Sequence, residues 1–438
     1  MQHLGAFLRT YWTRGVPGRP TPRSLQIVLY RWWIAAFIFK IIGSSWDVSW
    51  HFKWLRDDLA PPHLINTIGT GIAIVLVLVH SFTGYGMDKL TLRITQWGTA
   101  IFVVAAPIDV INHRLNGLDL TAWSPSHGML YFGTAVMLAG VIRGWYLQFP
   151  RDGKQGREWV IGLTALWIFF FENAHFAQLQ QEYGILEIAS WFRGTPYGEG
   201  ELLDFAAAQL GRGVDAIALQ HFALPIPPWV YPIWAMVVCV PLLAFARHMI
   251  GRIWAATAIT AVYVLYRAVM KPLLVLGTFP PSVVPFWLIG LGVAVDLVFL
   301  LKVADRGALA YVRAAVGGAA VAAAGYGVLY LQNWLSGAPL NLGTMTIQEM
   351  EAAYNAGDGE FTLNMPPVAY GTIFYAMAGT ALVWLAVTLV VDRSMGLDTP
   401  RPPALRREFA PEPTRNAEGL LVPAEEPTRG RAHQPHQG

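Results

Sequence analysis

Apolar residues along the chain fall into long blocks that are separated by shorter polar stretches. Each block is close to the length of about 20 residues with which a helix crosses the hydrocarbon core of a bilayer. We therefore predict an all-α fold, a polytopic membrane bundle of about ten spanning helices. The predicted spans lie near residues 27–46, 64–85, 94–112, 126–148, 159–176, 229–247, 253–271, 284–301, 314–332 and 367–391.

The polar stretches divide the chain into three parts. Residues 1–25 form a basic N-terminal segment, residues 26–392 the membrane domain, and residues 393–438 a tail rich in Pro and Arg that we predict to be disordered. Within the membrane domain, residues 177–228 and 334–365 are the two long loops. Both are poor in Lys and Arg, which assigns them to the outer side of the membrane.

Composition also indicates a membrane protein. The chain is 54% hydrophobic and only 13% charged, whereas soluble proteins carry about 25% charged residues. The net charge of +3 is small and the basic residues lie in short loops and tails, which argues against a nucleic-acid partner. The excess of basic residues in alternate loops predicts a multi-pass protein of the plasma membrane, in contact with the lipid bilayer, with both termini cytoplasmic.

The first stretch with candidate chemistry is the predicted hairpin 44–65. Asp47 and His51 are four residues apart, so on a helix their side chains lie one turn from each other on one face. Pro61 and Pro62 then start the next span and place His63 in its first turn. The hairpin thus brings one carboxylate and two imidazoles together.

The same pattern returns in the predicted hairpin 106–130. Asp109 and His113 are again four residues apart at the end of a span, and Ser124 and Pro125 open the next span just before His127. In the predicted topology both hairpins turn on the outer side of the membrane. Ionisable groups at membrane depth are costly and usually mark a functional site.

Two imidazoles and one carboxylate form a ligand set used by non-haem iron that also suits copper or zinc. The single cysteine, Cys239, excludes a thiolate cluster. The alternative is structural: a His at the end of a span can lie at the polar interface, and an Asp can bond a neighbouring helix.

The fifth predicted span carries a third candidate. Glu172 and His175 are three residues apart, a metal-ligand spacing in helical bundles, and His221 is expected on the same side. The alternative is that Glu172 and His175 bond one another. Separately, Asp296 lies in the middle of the eighth span, and we expect Arg267 as its ion-pair partner.

The two triplets resemble the copper-site motif of the C subunit of the copper membrane monooxygenases, the particulate methane and ammonia monooxygenases. Over residues 44–135, the first set is similar to Asp-x3-His followed by a second His, with Arg56 and Asp57 in the expected places to orient the ligands. The second set keeps the family's thirteen-residue gap before His127 but has Asp109 where the family has Asn. The resemblance implies bound copper and a dioxygen-dependent oxidation.

Three functions follow as hypotheses. The leading one is a copper-dependent membrane oxidoreductase, similar to a monooxygenase, that oxidises a small hydrophobic substrate. It would need an electron donor, because the chain has no haem or flavin signature. This hypothesis is compatible with a homo-oligomer and with partner subunits. The second is a non-catalytic protein that stores, senses or transfers copper. The third is a proton- or ion-coupled transporter using Asp47, Asp109 and Asp296.

Overall fold

The computed structural model is all-helical apart from one small β-ribbon, as the apolar blocks predict. It describes residues 5, 10–54, 60–116, 122–192, 194–227, 229–300, 307–335, 370–394, 409–415 and 421–422. Within these ranges, the side chains of His113, Arg114 and a few others are not described.

Twelve helices are defined in the described ranges. The first seven are α1 (Arg23–His51), α2 (Pro61–Thr83), α3 (Lys89–Asn116), α4 (Pro125–Gln148), α5 (Gln155–Phe192), α6 (Gly200–Gln209) and α7 (Ala216–Ala223). Helix α8 runs as Val230–Trp234, a π-helical turn Ala235–Cys239, and Val240–Ile250, and it is followed by α9 (Ala255–Leu276) and α10 (Trp287–Leu300). Helix α11 runs as Ala308–Val312, a π turn Arg313–Gly317, and Gly318–Leu335. A 3-10 turn, Tyr370–Thr372, then leads into α12 (Ile373–Ser394).

Nine helices in the described part of the chain are long and apolar enough to cross a membrane: α1, α2, α3, α4, α5, α8, α9, α11 and α12. The remaining predicted span, 284–301, coincides with α10, which has 14 residues and is therefore about 21 Å long. That is shorter than the hydrocarbon core of about 30 Å. The fold is thus a multi-span helical bundle.

Local sequence explains where the first helices begin and end. Pro61 and Pro62 occupy the first turn of α2, where no intrahelical N–H bond is lost. Gly84 ends α2 with a φ of 72° and donates its N–H to the His80 carbonyl, a left-handed conformation that glycine adopts at no steric cost. Ser124 caps α4 and accepts the His127 N–H.

Helix α5 is longer than the predicted span 159–176. Its 38 residues make it about 57 Å long, so it extends well beyond a bilayer core. The sequence predicts an outer loop over 177–228, but the structure places the end of α5 and the short helices α6 and α7 there. These helices pack together through one buried apolar cluster, which includes Tyr183 and Ile188 of α5, Leu202 of α6 and Phe222 of α7.

The described part of the C-terminal tail contacts the start of α1. Glu412 accepts hydrogen bonds from the Ser24 N–H (2.9 Å) and hydroxyl (2.6 Å), so it caps the first turn of α1, which has no side-chain cap at its own N-cap residue. Two short antiparallel strands, Thr414–Arg415 and Leu421–Val422, form a ribbon beyond it. The rest of the predicted disordered segment lies outside the described residues.

The ion-pair partner expected for Asp296 was wrong. Asp296 pairs with Arg247, whose Nε lies 3.0 Å from Oδ1, and it accepts the Thr257 N–H and hydroxyl at 2.8 Å each. Arg267 instead faces Glu182 on α5. Asp296 thereby bonds the first turn of α9, where free N–H groups favour a carboxylate.

Candidate metal centre

The side chains of Asp47, His51 and His63 converge where α1 ends and α2 begins. His51 Nε2 lies 3.5 Å from Asp47 Oδ1, His63 Nε2 lies 2.8 Å from the same oxygen, and the two Nε2 atoms are 3.3 Å apart. All three side chains are between a quarter and about a third exposed. The helical spacing of Asp47 and His51 and the proline-started turn of His63 produce this arrangement.

These separations suit a single ion. The ligand atoms of the three residues all lie within 4.8 Å of one another. A triangle with the three measured sides has a circumradius of about 1.9 Å, so one ion could lie about 2.1 Å from all three atoms, a normal bond length for His and carboxylate ligands. Among the described residues, no other group of three metal-ligating side chains converges in this way.

The second set places two described side chains together. His127 Nε2 lies 3.5 Å from Asp109 Oδ1, and both side chains are mostly buried. Two local features lie next to them: the Ser124 cap fixes the first turn of α4, and Pro107 lies inside α3 two residues before Asp109, where the helix lacks one backbone N–H donor. The side chain of His113 lies outside the described residues.

Both sets line one cavity of about 460 Å³. It lies among the first five helices and is also lined by Leu202 of α6 and Phe222 of α7. Asp47, His51, His63, Asp109 and His127 all line it. The sequence pattern shows two separate hairpins, whereas the structure joins them into one site.

Two further ionisable side chains line this cavity away from the His residues. Glu172 of α5 accepts hydrogen bonds from the Ser44 and Ser45 hydroxyls at 3.2 and 3.4 Å. Lys40 of α1 lies two turns before Asp47 on the same helix face. Lys40 was not among the residues predicted from the sequence, although a lysine seven residues before a candidate ligand in an apolar span is a visible signal.

His175 does not share the cavity with Glu172. It is fully buried, with Nδ1 2.9 Å from the Tyr263 hydroxyl and Nε2 3.3 Å from the Tyr231 hydroxyl. Glu182 completes this group, accepting the Tyr231 O–H at 2.9 Å. The group bonds α5 to α8 and α9, so its evident role is to hold these three helices together in an apolar environment.

The remaining candidate residues lie elsewhere. His221 is on α7, where its Nε2 contacts the Gln209 amide oxygen at 3.2 Å, and it does not line the cavity. Arg56 and Asp57, expected to orient the ligands, fall in 55–59, outside the described residues.

Comparison with known proteins adds no relative. Models of known protein families, curated proteins and solved structures gave no match to this chain. The functional argument therefore depends on the geometry of the cavity and on the residues that line it.

Proposed function

We propose that this chain is a membrane metalloprotein that binds copper, with iron and zinc as alternatives, in the cavity formed by its first five helices. Asp47, His51 and His63 hold the ion, and Asp109 and His127 form a second group of ligands in the same cavity. His113 is the expected third member of that group. The observation that carries the proposal is the triangle of Asp47 Oδ1 and the two Nε2 atoms, whose sides match the ligand spacing around one ion.

We further propose that the site oxidises a small hydrophobic molecule with dioxygen, as the resemblance to the C subunit of the copper membrane monooxygenases implies. A redox-active ion would supply the dioxygen chemistry, and the protein supplies a shaped cavity that is mostly apolar. The cavity is much larger than a metal ion requires, which favours a substrate pocket over a site that only stores or transfers copper.

The cavity also extends to the surface that faces lipid. Val103 and Val110 of α3 line it while 43% and 37% exposed, and Thr67 of α2 lines it and is exposed as well. An apolar molecule dissolved in the bilayer therefore has a route between α2 and α3. We propose that the site lies toward the extracytoplasmic side of the plasma membrane, with α10 as a tenth, short span and both termini in the cytoplasm.

Metal analysis tests the binding proposal. The protein purified in detergent should carry stoichiometric metal by elemental mass spectrometry, with a paramagnetic resonance signal if the metal is Cu²⁺. His51→Ala and His127→Ala should each weaken metal affinity at least tenfold, because even outer-shell partners change it by about 10- to 100-fold. His221→Ala, which removes an imidazole outside the cavity, is the matched control and should bind metal like wild type.

Two outcomes would contradict the proposal. One is wild-type protein without stoichiometric metal after growth in copper, iron or zinc. The other is full metal retention by both His51→Ala and His127→Ala. Either result would leave the His and Asp side chains as a hydrogen-bonded group that only joins the two hairpins.

A further inference from the structure

Lys40 is a buried basic side chain in the interior of a spanning helix. It is 6% exposed, and its Nζ donates to the Asn66 amide oxygen at 3.0 Å and the Thr70 hydroxyl at 3.2 Å. Both partners are on α2, one and two turns after His63. An ionisable residue at this depth is a functional candidate by default, because its burial is costly.

Close packing of α1 and α2 fits the lysine into this position. A Cβ added at Gly69 would lie 2.6 Å from the Ala36 carbonyl oxygen and 2.9 Å from Lys40 Cγ. Only glycine leaves room for the lysine stem between the two helices at this point. The site around Lys40 is thus built by the backbone as well as by Asn66 and Thr70.

The lysine retains donor capacity toward the cavity. An ammonium has three N–H donors and no acceptor, and two of them are used by Asn66 and Thr70. The Phe102 ring centroid lies 3.7 Å from Nζ, and Phe102 also lines the cavity. An aromatic face attracts an ammonium less strongly than an oxygen acceptor does, so an oxygen in the cavity would be the better partner.

The charge of this end of the cavity favours an uncharged ligand. Glu172 lines the same cavity as Lys40, so the wall at this end carries one acidic and one basic side chain. With both ionised they balance, so an added anion or cation gains no net attraction. A neutral oxygen keeps the hydrogen bond to Nζ without adding an unpaired charge to the membrane interior.

We propose that Lys40 is the binding group for a small, uncharged, lipid-soluble molecule with an oxygen acceptor, such as a carbonyl, ether or hydroxyl. The molecule reaches the cavity from the bilayer between α2 and α3, and its oxygen accepts from Nζ. Its apolar part then extends toward the Asp and His side chains, which lie two turns along α1. This inference rests on the proposed function for what happens to the ligand, and on the cavity alone for its binding.

Three ring compounds of similar size test the inference: cyclohexanone, cyclohexane and cyclohexanecarboxylate. Each isotope-labelled probe is equilibrated by dialysis with wild-type protein in lipid nanodiscs, and binding to protein-free nanodiscs is subtracted. Wild type should bind cyclohexanone most tightly. Lys40→Met should weaken the affinity for cyclohexanone about tenfold, because one hydrogen bond to a charged donor is lost. The affinity for cyclohexane should stay unchanged.

Lys53→Met is the matched control. Lys53 lies two residues after the end of α1. Its Nζ donates to the Thr278 carbonyl and hydroxyl, and it does not line the cavity. This variant should bind all three probes like wild type. Equal cyclohexanone affinity in wild type and Lys40→Met, or tighter Lys40-dependent binding of the carboxylate, would overturn the inference.

Metal content measured on the same samples separates the two proposals. Wild type that lacks metal but binds cyclohexanone through Lys40 would refute the metal centre and support the inference. Wild type that holds metal but binds no probe would support the metal centre and overturn the inference.

Discussion

Asp88 shows how a single carboxylate stabilises the membrane face opposite the candidate metal centre. Its Oδ1 accepts the Leu90 and Thr91 N–H groups at 3.0 and 3.1 Å, which caps α3. Its Oδ2 lies 2.7 Å from Arg143 Nη1 and accepts from the Gln148 amide at 2.8 Å. The first turn of α3 is thereby fixed to the last turns of α4. The two helices of the second hairpin are therefore joined here as well as at their connecting loop.

The protonation of Asp88 makes this contribution depend on pH. Burial raises the pKa of the carboxyl, but hydrogen bonds from Thr91 and Arg143 lower it more, to about 2. Because the folded-state pKa lies below the ordinary value of 3.8, the ionised form stabilises the native state. That stabilisation is complete above about pH 4 and is lost as the pH falls toward 2.

We expect Asp88→Asn to lower the free energy of unfolding by about 1 to 2 kcal/mol at pH 7, since one charge-assisted contact is lost at a partly exposed site. The difference from wild type should shrink as the pH falls from 4 toward 2. Denaturant unfolding in detergent micelles at several pH values measures both quantities.

Asp152→Asn is the control for this measurement. Asp152 pairs with Arg23 at 2.6 Å, but its side chain is 69% exposed, so the change should cost less than about 0.5 kcal/mol. An Asp88→Asn variant as stable as wild type at neutral pH would show that the contacts of Asp88 contribute nothing net.

At the scale of elements, small residues decide how closely α3 and α4 approach. A Cβ at Gly98 would lie 2.2 Å from the Met137 N and 2.8 Å from the Gly133 carbonyl oxygen, and one at Gly133 would lie 2.7 Å from the Phe102 N. Glycines at such contacts let two membrane helices pack backbone to backbone. The separation of Asp109 and His127 depends on this packing.

We therefore predict that Gly98→Val moves α3 away from α4 and disturbs the second set of candidate ligands from a distance of about three helical turns. Overpacking of this kind also costs about 1 to 3 kcal/mol of stability. Gly98→Val should lower the metal content of the protein, as His127→Ala does. Elemental analysis and paramagnetic resonance measure this change.

Gly71→Val provides the comparison within a neighbouring helix. A Cβ at Gly71 meets nothing within 4 Å, so this variant should keep both its stability and its metal. Unchanged metal binding in Gly98→Val would mean that the second set does not depend on the approach of α3 and α4.

At the scale of the whole molecule, the orientation of the bundle decides which side of the membrane the cavity faces. The cavity lies at the end where α1 meets α2 and where α6 and α7 cover α5. The loop between α4 and α5 lies at the other end of these helices. The positive-inside pattern predicts that the cavity end is extracytoplasmic.

Thiol labelling in intact cells tests this orientation. The native Cys239 is fully buried, so it should give little background. A membrane-impermeant maleimide should label Ala208→Cys on α6 in intact cells, and Lys154→Cys between α4 and α5 only after the membrane is permeabilised. Both replaced side chains are exposed. The reverse pattern would place the cavity on the cytoplasmic side.

Features that depend on neighbouring residues could be predicted from the sequence. Apolar runs predict the spans, because a helix that crosses a bilayer needs an apolar side chain at nearly every position. The pairing of Asp47 with His51 follows from the helical repeat, and the place of His63 follows from the prolines that start α2. Each of these depends on contacts within one helix or one hairpin.

Only the tertiary structure decided how distant segments meet. In the structure the two hairpins line one cavity, and Lys40 and Glu172 lie in its wall. Asp296 forms its ion pair with Arg247 instead of Arg267. Helix α5 continues into the region that the sequence predicts as a loop. Spanning helices share the same apolar character, so their sequences fix that they cross the membrane. Which helix packs against which is fixed by close contacts between residues far apart in the chain, as at Gly98 and Met137.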